Sequence, residues 1–190
     1  ITRYNYSNIK RYGQLLELIL KFKPKSVLEI GVYKGLRSAQ MLSAAKVFSN
    51  EVNYYGFDLF ENFYSEEKIL DKELSKKPNS LDNIQNFLKN RGKINLYKGF
   101  TNETLPKFLN KKIKIDFIFI DGGHSIETIK NDWFYVSKMM HEKTIVIFDD
   151  FYHDDQDLIK RFGCNNIVSN LEKKYKVKYL PNIDNIVKKK

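Results

Sequence analysis

Short apolar runs alternate along this chain with longer stretches in which apolar residues recur every three or four positions. Residues 9–22 put Ile9, Tyr12, Leu15, Leu16, Ile19 and Leu20 at helical spacing, and Pro24 stops that helix. SVLEIG at 26–31 is a short apolar run of the kind that forms a buried parallel strand. The stretch GLRSAQMLSAAKVF from Gly35 reads as a helix, and NYYGFDLF at 53–60 as a second strand. Residues 61–80 are polar and aperiodic, with Pro78 near their end, and predict a flexible loop with room for one helical turn. A connection of that length in a compact domain commonly serves as a lid or binding loop.

The alternation continues. A helix is expected from Ser80 to about Arg91, stopped by Gly92. INLYKGF at 94–100 predicts a third strand, and 102–110 a short helix. The clearest buried strand is KIDFIFIDGG at 114–123, apolar throughout Phe117–Ile120. Ile126, Ile129, Trp133, Val136 and Met140 share one face of a helix over 125–141, and TIVIFDD at 144–150 gives a fifth strand. A helix over 155–173, interrupted near Gly163, precedes two closing strands, KVKYLP (176–181) and DNIVKK (184–189). About seven strands interleaved with helices predict an α/β chain with a doubly wound, mostly parallel sheet and helices on both faces. No repeat or low-complexity linker divides it, so one domain is expected over 1–190.

In such sheets ligands bind outside the carboxyl ends of the strands, so the residues after each strand carry the candidate chemistry. Glu29-Ile30-Gly31-Val32-Tyr33-Lys34-Gly35 follows the first strand. Its glycines either let a ligand approach the backbone or only turn the chain into the next helix. The spacing lacks the middle glycine of dinucleotide-binding turns, which argues against a nicotinamide cofactor. Asp58 ends the second strand, where an acid accepts hydrogen bonds from ribose hydroxyls or simply caps the strand. Asp121 follows the fourth strand, and Asp149 and Asp150 the fifth. Three carboxylates at neighbouring strand ends suit a hard cation such as Mg2+, although turns also attract Asp. His124, beside Asp121, is either a surface residue or an acid–base group, His153 is a weaker second candidate, and His141 is expected to favour a helix C-terminal dipole.

Composition narrows these options modestly. The formal charge is +10, yet the lysines are scattered, and clusters such as Lys111-Lys112 and Lys188–Lys190 lack the aromatic and arginine interleaving of a base-stacking surface. A nucleic-acid partner is therefore disfavoured. The single cysteine, Cys164, can form no internal disulfide, and its surroundings, RFGCNN, offer no activating base. No apolar run is long enough to span a bilayer, and a cytoplasmic protein without a membrane partner is expected.

Taken together these motifs resemble the class I S-adenosylmethionine-dependent methyltransferases, with their Rossmann-like sheet. EIGVYKG resembles the family's first motif, and Asp58 its ribose-binding acid. KIDFIFIDGGH, TIVIFDDF, FDLFENF, SLDNIQNFL and LYKGFTNETLPKF follow the order of a subgroup. It contains the metal-dependent O-methyltransferases of macrolide and aminocoumarin sugars, the macrocin and mycinamicin type. The resemblance spans about residues 25–152. It implies an enzyme in which Glu29, Gly31, Val32, Tyr33 and Gly35 line S-adenosylmethionine and Asp58 binds its ribose. Leu59 would pack on the adenine, Phe100 and Thr101 would border it, and Asp121 would adjoin the cofactor. It further implies Mg2+ on Asp121, Asp149 and Asp150, with His124 as base, Asp121 as a catalytic partner, a small sugar-like acceptor and a possible homodimer. HEK at 141–143 replaces the subgroup's Pro-Gly-Gly turn, and the 61–80 segment lacks its usual Gly and Pro density. Rival readings are methyl transfer to RNA or protein, or a non-catalytic module on the same scaffold.

Overall fold

The computed structural model describes residues 8–64, 77–153 and 155–181. Five parallel strands form one sheet: β1 (Ser26–Ile30), β2 (Asn53–Asp58), β3 (Lys93–Lys98), β4 (Phe117–Ile120) and β5 (Ile145–Phe148). Their order is β3-β2-β1-β4-β5, and Leu28 of β1 lies between Tyr55 of β2 and Ile118 of β4. The order reverses between β1 and β4. Connections leaving these two strands run in opposite directions, which opens a crevice at their carboxyl ends.

The two-residue period of the strands sorts their side chains onto two cores. Val27, Tyr54, Phe117 and Phe119 face helices α1 (Asn8–Phe22), α2 (Leu36–Lys46) and α3 (Leu81–Leu88), where Leu15, Ile19, Met41, Leu42, Ile84 and Leu88 are buried. Leu28, Ile30, Tyr55, Phe57, Ile118 and Ile120 face α4 (Thr101–Leu109) and α5 (Ile126–Val136), meeting Leu105, Phe108 and Val136. Helices thus cover both faces, as the apolar-throughout strands predict.

At the amino-terminal end of the sheet, Asp116 braces β1 against β4. Its Oδ2 accepts the amides of Lys25 (2.8 Å) and Ser26 (2.9 Å), and Ser26 Oγ accepts the Asp116 amide. The His141 ring reaches Asp116 Oδ1 through Nε2 at 3.0 Å. His141 is therefore a tie to the sheet and not a helix-dipole partner.

Several expectations need correction. The sheet has five strands among the described residues, not about seven. KVKYLP carries no strand, and DNIVKK lies outside the described residues. In place of a paired strand, Tyr175 and Tyr179 set their rings against Trp133 and Phe151. The helix expected over 125–141 stops at Val136 and tightens into a 3-10 turn at Ser137–Met139. The helix expected over 155–173 is two short ones, α6 (Gln156–Arg161) and α7 (Asn165–Ser169), parted by Gly163 with φ 83°. Of the 61–80 segment, Phe60–Tyr64 form a 3-10 turn and 65–76 lie outside the described residues. No helix among the described residues is long and apolar enough to cross a membrane.

Candidate functional site

Successive backbone hydrogen bonds carry the strand ends into a single rim. The Gly99 amide donates to Asp58 (3.0 Å), Gly31 to Phe57, Asp121 to Ile30 and Asp149 to Ile120 (each 2.9 Å). Asp58, Gly31, Asp121 and Asp149 therefore follow one another along the carboxyl edge of β2, β1, β4 and β5. At the usual strand spacing this edge is about 14 Å long.

The turn after β1 is tightly built. Gly31 has φ 94°, and a Cβ there would lie 1.9 Å from the Asp121 carbonyl oxygen. The glycine is required by the close approach of the chain leaving β4. Gly35 caps α2 in the left-handed conformation (φ 73°), and Tyr33 between them also has positive φ. Val32 is buried, whereas Tyr33 is exposed. The Tyr33 amide donates to Asp58 Oδ2 at 2.8 Å, and the Phe60 amide to Asp58 Oδ1 at 3.1 Å. A carboxylate offers about four acceptor positions, so these two bonds orient Asp58 and leave capacity for hydroxyl donors. Burial pushes the Asp58 carboxyl above its ordinary pKa, against the lowering effect of the Tyr33 and Phe60 amides.

Glu29 lies on β1 just inside this rim and is fully buried. Its Oε2 accepts from Ser38 Oγ (2.5 Å) and the Tyr54 hydroxyl, and these two hydroxyls meet each other at 2.9 Å. Oε1 has no hydrogen-bond partner. Burial raises the carboxyl to about 7, against the lowering hydrogen bonds from Ser38 and Tyr54. Glu29 is thus an interior clamp between β1, β2 and α2, which the motif alone did not reveal. Ser38 and Tyr54 were missed for the same reason: their role requires β2 to lie beside β1.

On the other side of the crevice, His124 Nδ1 lies 2.5 Å from Asp150 Oδ2, with both side chains 21% exposed. The Phe162–Cys164 turn locks this pair. The Gly163 amide donates to the His124 carbonyl (2.8 Å) and the Cys164 amide to the Asp150 carbonyl (3.1 Å). A Cβ on Gly163 would lie 2.4 Å from the Asp150 carbonyl oxygen, and Asp150 itself has φ 56°. Asp149 accepts the Asp150 amide through Oδ1 at 2.9 Å. Cys164 is buried, its thiol pushed up to about 12 by burial and by the Asp150 and Asp149 charges, so it is inert.

Among the described residues no group of three or more His, Cys, Asp and Glu side chains is arranged to hold a metal ion. Asp121, Asp149 and Asp150 share the rim, but Asp150 turns its carboxylate onto His124. The expected Mg2+ ligand set does not fit this donor arrangement. His153 packs edge-on to the Phe151 ring.

Phe100 precedes α4 and Thr101 opens it, with Asn131 of α5 donating to Thr101 Oγ1 at 3.2 Å. Leu59, Phe100 and Thr101 are all half-buried around the β2 and β3 ends. Glu61, within FDLFENF but given no role there, joins this region. It accepts the Leu81 amide (2.9 Å) and pairs with Lys98 (2.6 Å), which holds its carboxyl down at about 2. The Asn79 amide in turn donates to the Tyr33 carbonyl.

The family profile described as "Methyltransferase domain" matches residues 28–151. No curated protein matches the chain in sequence. Among solved structures, the O-methyltransferase TomG from Streptomyces achromogenes, in complex with SAM, superposes with a TM-score of 0.57 at 15% identity, over 79% of this chain and 63% of that one. Cofactor-bound Rv0187 from MTB gives 0.56 at 16% identity, over 84% and 66%. The TDP-rhamnose 3'-O-methyltransferase CalS11, an enzyme in calicheamicin biosynthesis, gives 0.51 at 20% identity, over 83% and 67%. The chain thus spans about two thirds of the length of these structures, and the likeness is one of fold.

Proposed function

Because this chain belongs to the methyltransferase domain family, we propose that it binds S-adenosylmethionine at the β1 and β2 ends and methylates an oxygen of a small hydroxylated, sugar-like acceptor. The observation that carries this reading is the continuous rim, in which Asp58, Gly31 and Asp121 follow one another at the ends of β2, β1 and β4, beside the switch point between β1 and β4. Asp58, held by the Tyr33 and Phe60 amides, presents its remaining acceptor positions to a ribose diol. The turn Gly31–Gly35 and half-buried Leu59, Phe100 and Thr101 form the walls around it. Glu29 supports the turn from inside through Ser38 and Tyr54, not by facing the ligand with its hydrogen-bonded oxygen.

The bound sulfonium supplies a methyl group whose bond to sulfur breaks, the electron pair going to sulfur, as the acceptor oxygen bonds to carbon. His124 receives the hydroxyl proton, since an alcohol is a poor nucleophile while it keeps it. The rim orients acceptor and donor together, which removes much of the entropic barrier. No step is assigned to Mg2+, because the carboxylates expected to hold it are not gathered around one point.

Calorimetric titration with S-adenosylmethionine tests the reading, followed by transfer of labelled methyl to a panel of sugars and sugar nucleotides. Saturable binding and label on an acceptor oxygen are expected. Absence of binding at millimolar concentration would leave only a scaffold without the activity.

A further inference from the structure

We propose that Asp150 is the positioning residue of His124, fixing its tautomer, and that this Asp–His pair replaces a divalent ion as the means of preparing the acceptor hydroxyl. The proposal rests on the methyl-transfer reading for its chemical purpose and on independent geometry for its parts.

Asp150 Oδ2 and His124 Nδ1 are 2.5 Å apart. An ionised carboxylate only accepts, so this contact places the ring proton on Nδ1 and makes Nε2 the basic nitrogen of the neutral imidazole. The two residues come from different strand ends, β4 and β5, and are not left to find each other. The Phe162–Cys164 turn donates one amide to the main chain of each, Gly163 to His124 and Cys164 to Asp150. A bridge between Ser125 and Phe162 adds a third tie. Gly163 is the only residue type that permits this approach, given its positive φ and the 2.4 Å contact a Cβ would make with the Asp150 carbonyl.

The same geometry draws a carboxylate away from an ion. Asp150 is turned onto the imidazole, and Asp149 accepts the neighbouring amide through Oδ1. In the transfer step the acceptor O–H proton passes to His124 Nε2 as the oxygen–carbon bond forms. Asp150, against Nδ1, stabilises the resulting imidazolium.

Two measurements that need no acceptor test the pair. Nitrogen-15 NMR of histidine-labelled wild type is expected to show His124 as the Nδ1–H tautomer. Asp150→Asn is expected to lose that preference while binding S-adenosylmethionine with affinity within about threefold of wild type. Manganese titration of the wild type with S-adenosylmethionine, followed by electron paramagnetic resonance, is expected to show no site tighter than about 1 mM. A manganese site tighter than about 1 mM in wild type overturns the proposal, as does an Nε2–H tautomer in wild type. The wild-type measurements decide the matter even if the variant fails to fold. Failure of wild type to bind S-adenosylmethionine is a separate result, which removes the methyl-transfer reading and with it the pair's purpose.

Discussion

The main chain at Asp121 passes so close to Gly31 that an ideal Cβ on the glycine would lie 1.9 Å from the Asp121 carbonyl oxygen. This contact fixes the ends of β1 and β4 against each other at the mouth of the crevice. Gly31→Ala adds both this clash and a strained φ of 94°, and is expected to cost at least about 3 kcal/mol. Urea unfolding measures the cost, and an unchanged midpoint would mean that the turn tolerates a side chain.

Asp58 is expected to carry a large share of cofactor affinity. Asp58→Ala removes the acceptor for the Tyr33 and Phe60 amides as well as the ribose partner. Calorimetry should show S-adenosylmethionine binding weakened about 10- to 100-fold. Asp58→Asn, which keeps one acceptor oxygen, should fall between.

Glu29 makes stability depend on pH with a definite sign. Its carboxyl is raised from 4.5 in the unfolded chain to about 7 in the fold, chiefly by burial. Between these values the native state holds the extra proton, so stability falls as pH rises. The contribution is full below about 4.5 and is lost as pH passes through about 7. The loss is on the order of 3 kcal/mol. Urea midpoints between pH 4.5 and 7.5 measure this slope, and Glu29→Gln, uncharged throughout, should flatten it. An identical slope in the variant would assign the effect elsewhere.

His124→Ala is expected to slow methyl transfer about 100-fold or more while leaving cofactor affinity intact. A steady-state assay beside a calorimetric titration separates the two. Equal losses in binding and turnover would make His124 a structural residue.

Asp116→Ala provides the contrast at the opposite end of the sheet. It deprives the Lys25 and Ser26 amides and the His141 ring of their acceptor. A loss of about 2 kcal/mol in stability with unchanged cofactor binding is expected, read by urea unfolding and calorimetry.

The central strands were legible because burial on both faces leaves a continuous apolar signature, as in Phe117–Ile120. The chain's end was not. KVKYLP has the alternation of a strand, yet its Tyr179 packs on Phe151, and Tyr175 just before it on Trp133, instead of pairing in the sheet. Alternation records which side chains are apolar and carries nothing about whether a neighbouring strand edge is available. The break of the last helix at Gly163 was visible in the residue, but its purpose was not, since the contact it permits is with Asp150 on another loop.

By itself the sequence determined the alternating elements, and it determined that Gly31, Asp58, Asp121 and the Asp149-Asp150 pair would follow strand ends. Backbone hydrogen-bond period and side-chain polarity are local properties, and they suffice for that. Only the tertiary structure decided which strand lies beside which, and therefore what each polar group meets. Glu29 found Ser38 and Tyr54, and Asp150 found His124, because strand order and the Phe162–Cys164 turn brought distant segments within hydrogen-bond reach. A carboxylate's role is set by the few ångströms around it, and those neighbours are supplied by chain crossings that no local pattern encodes.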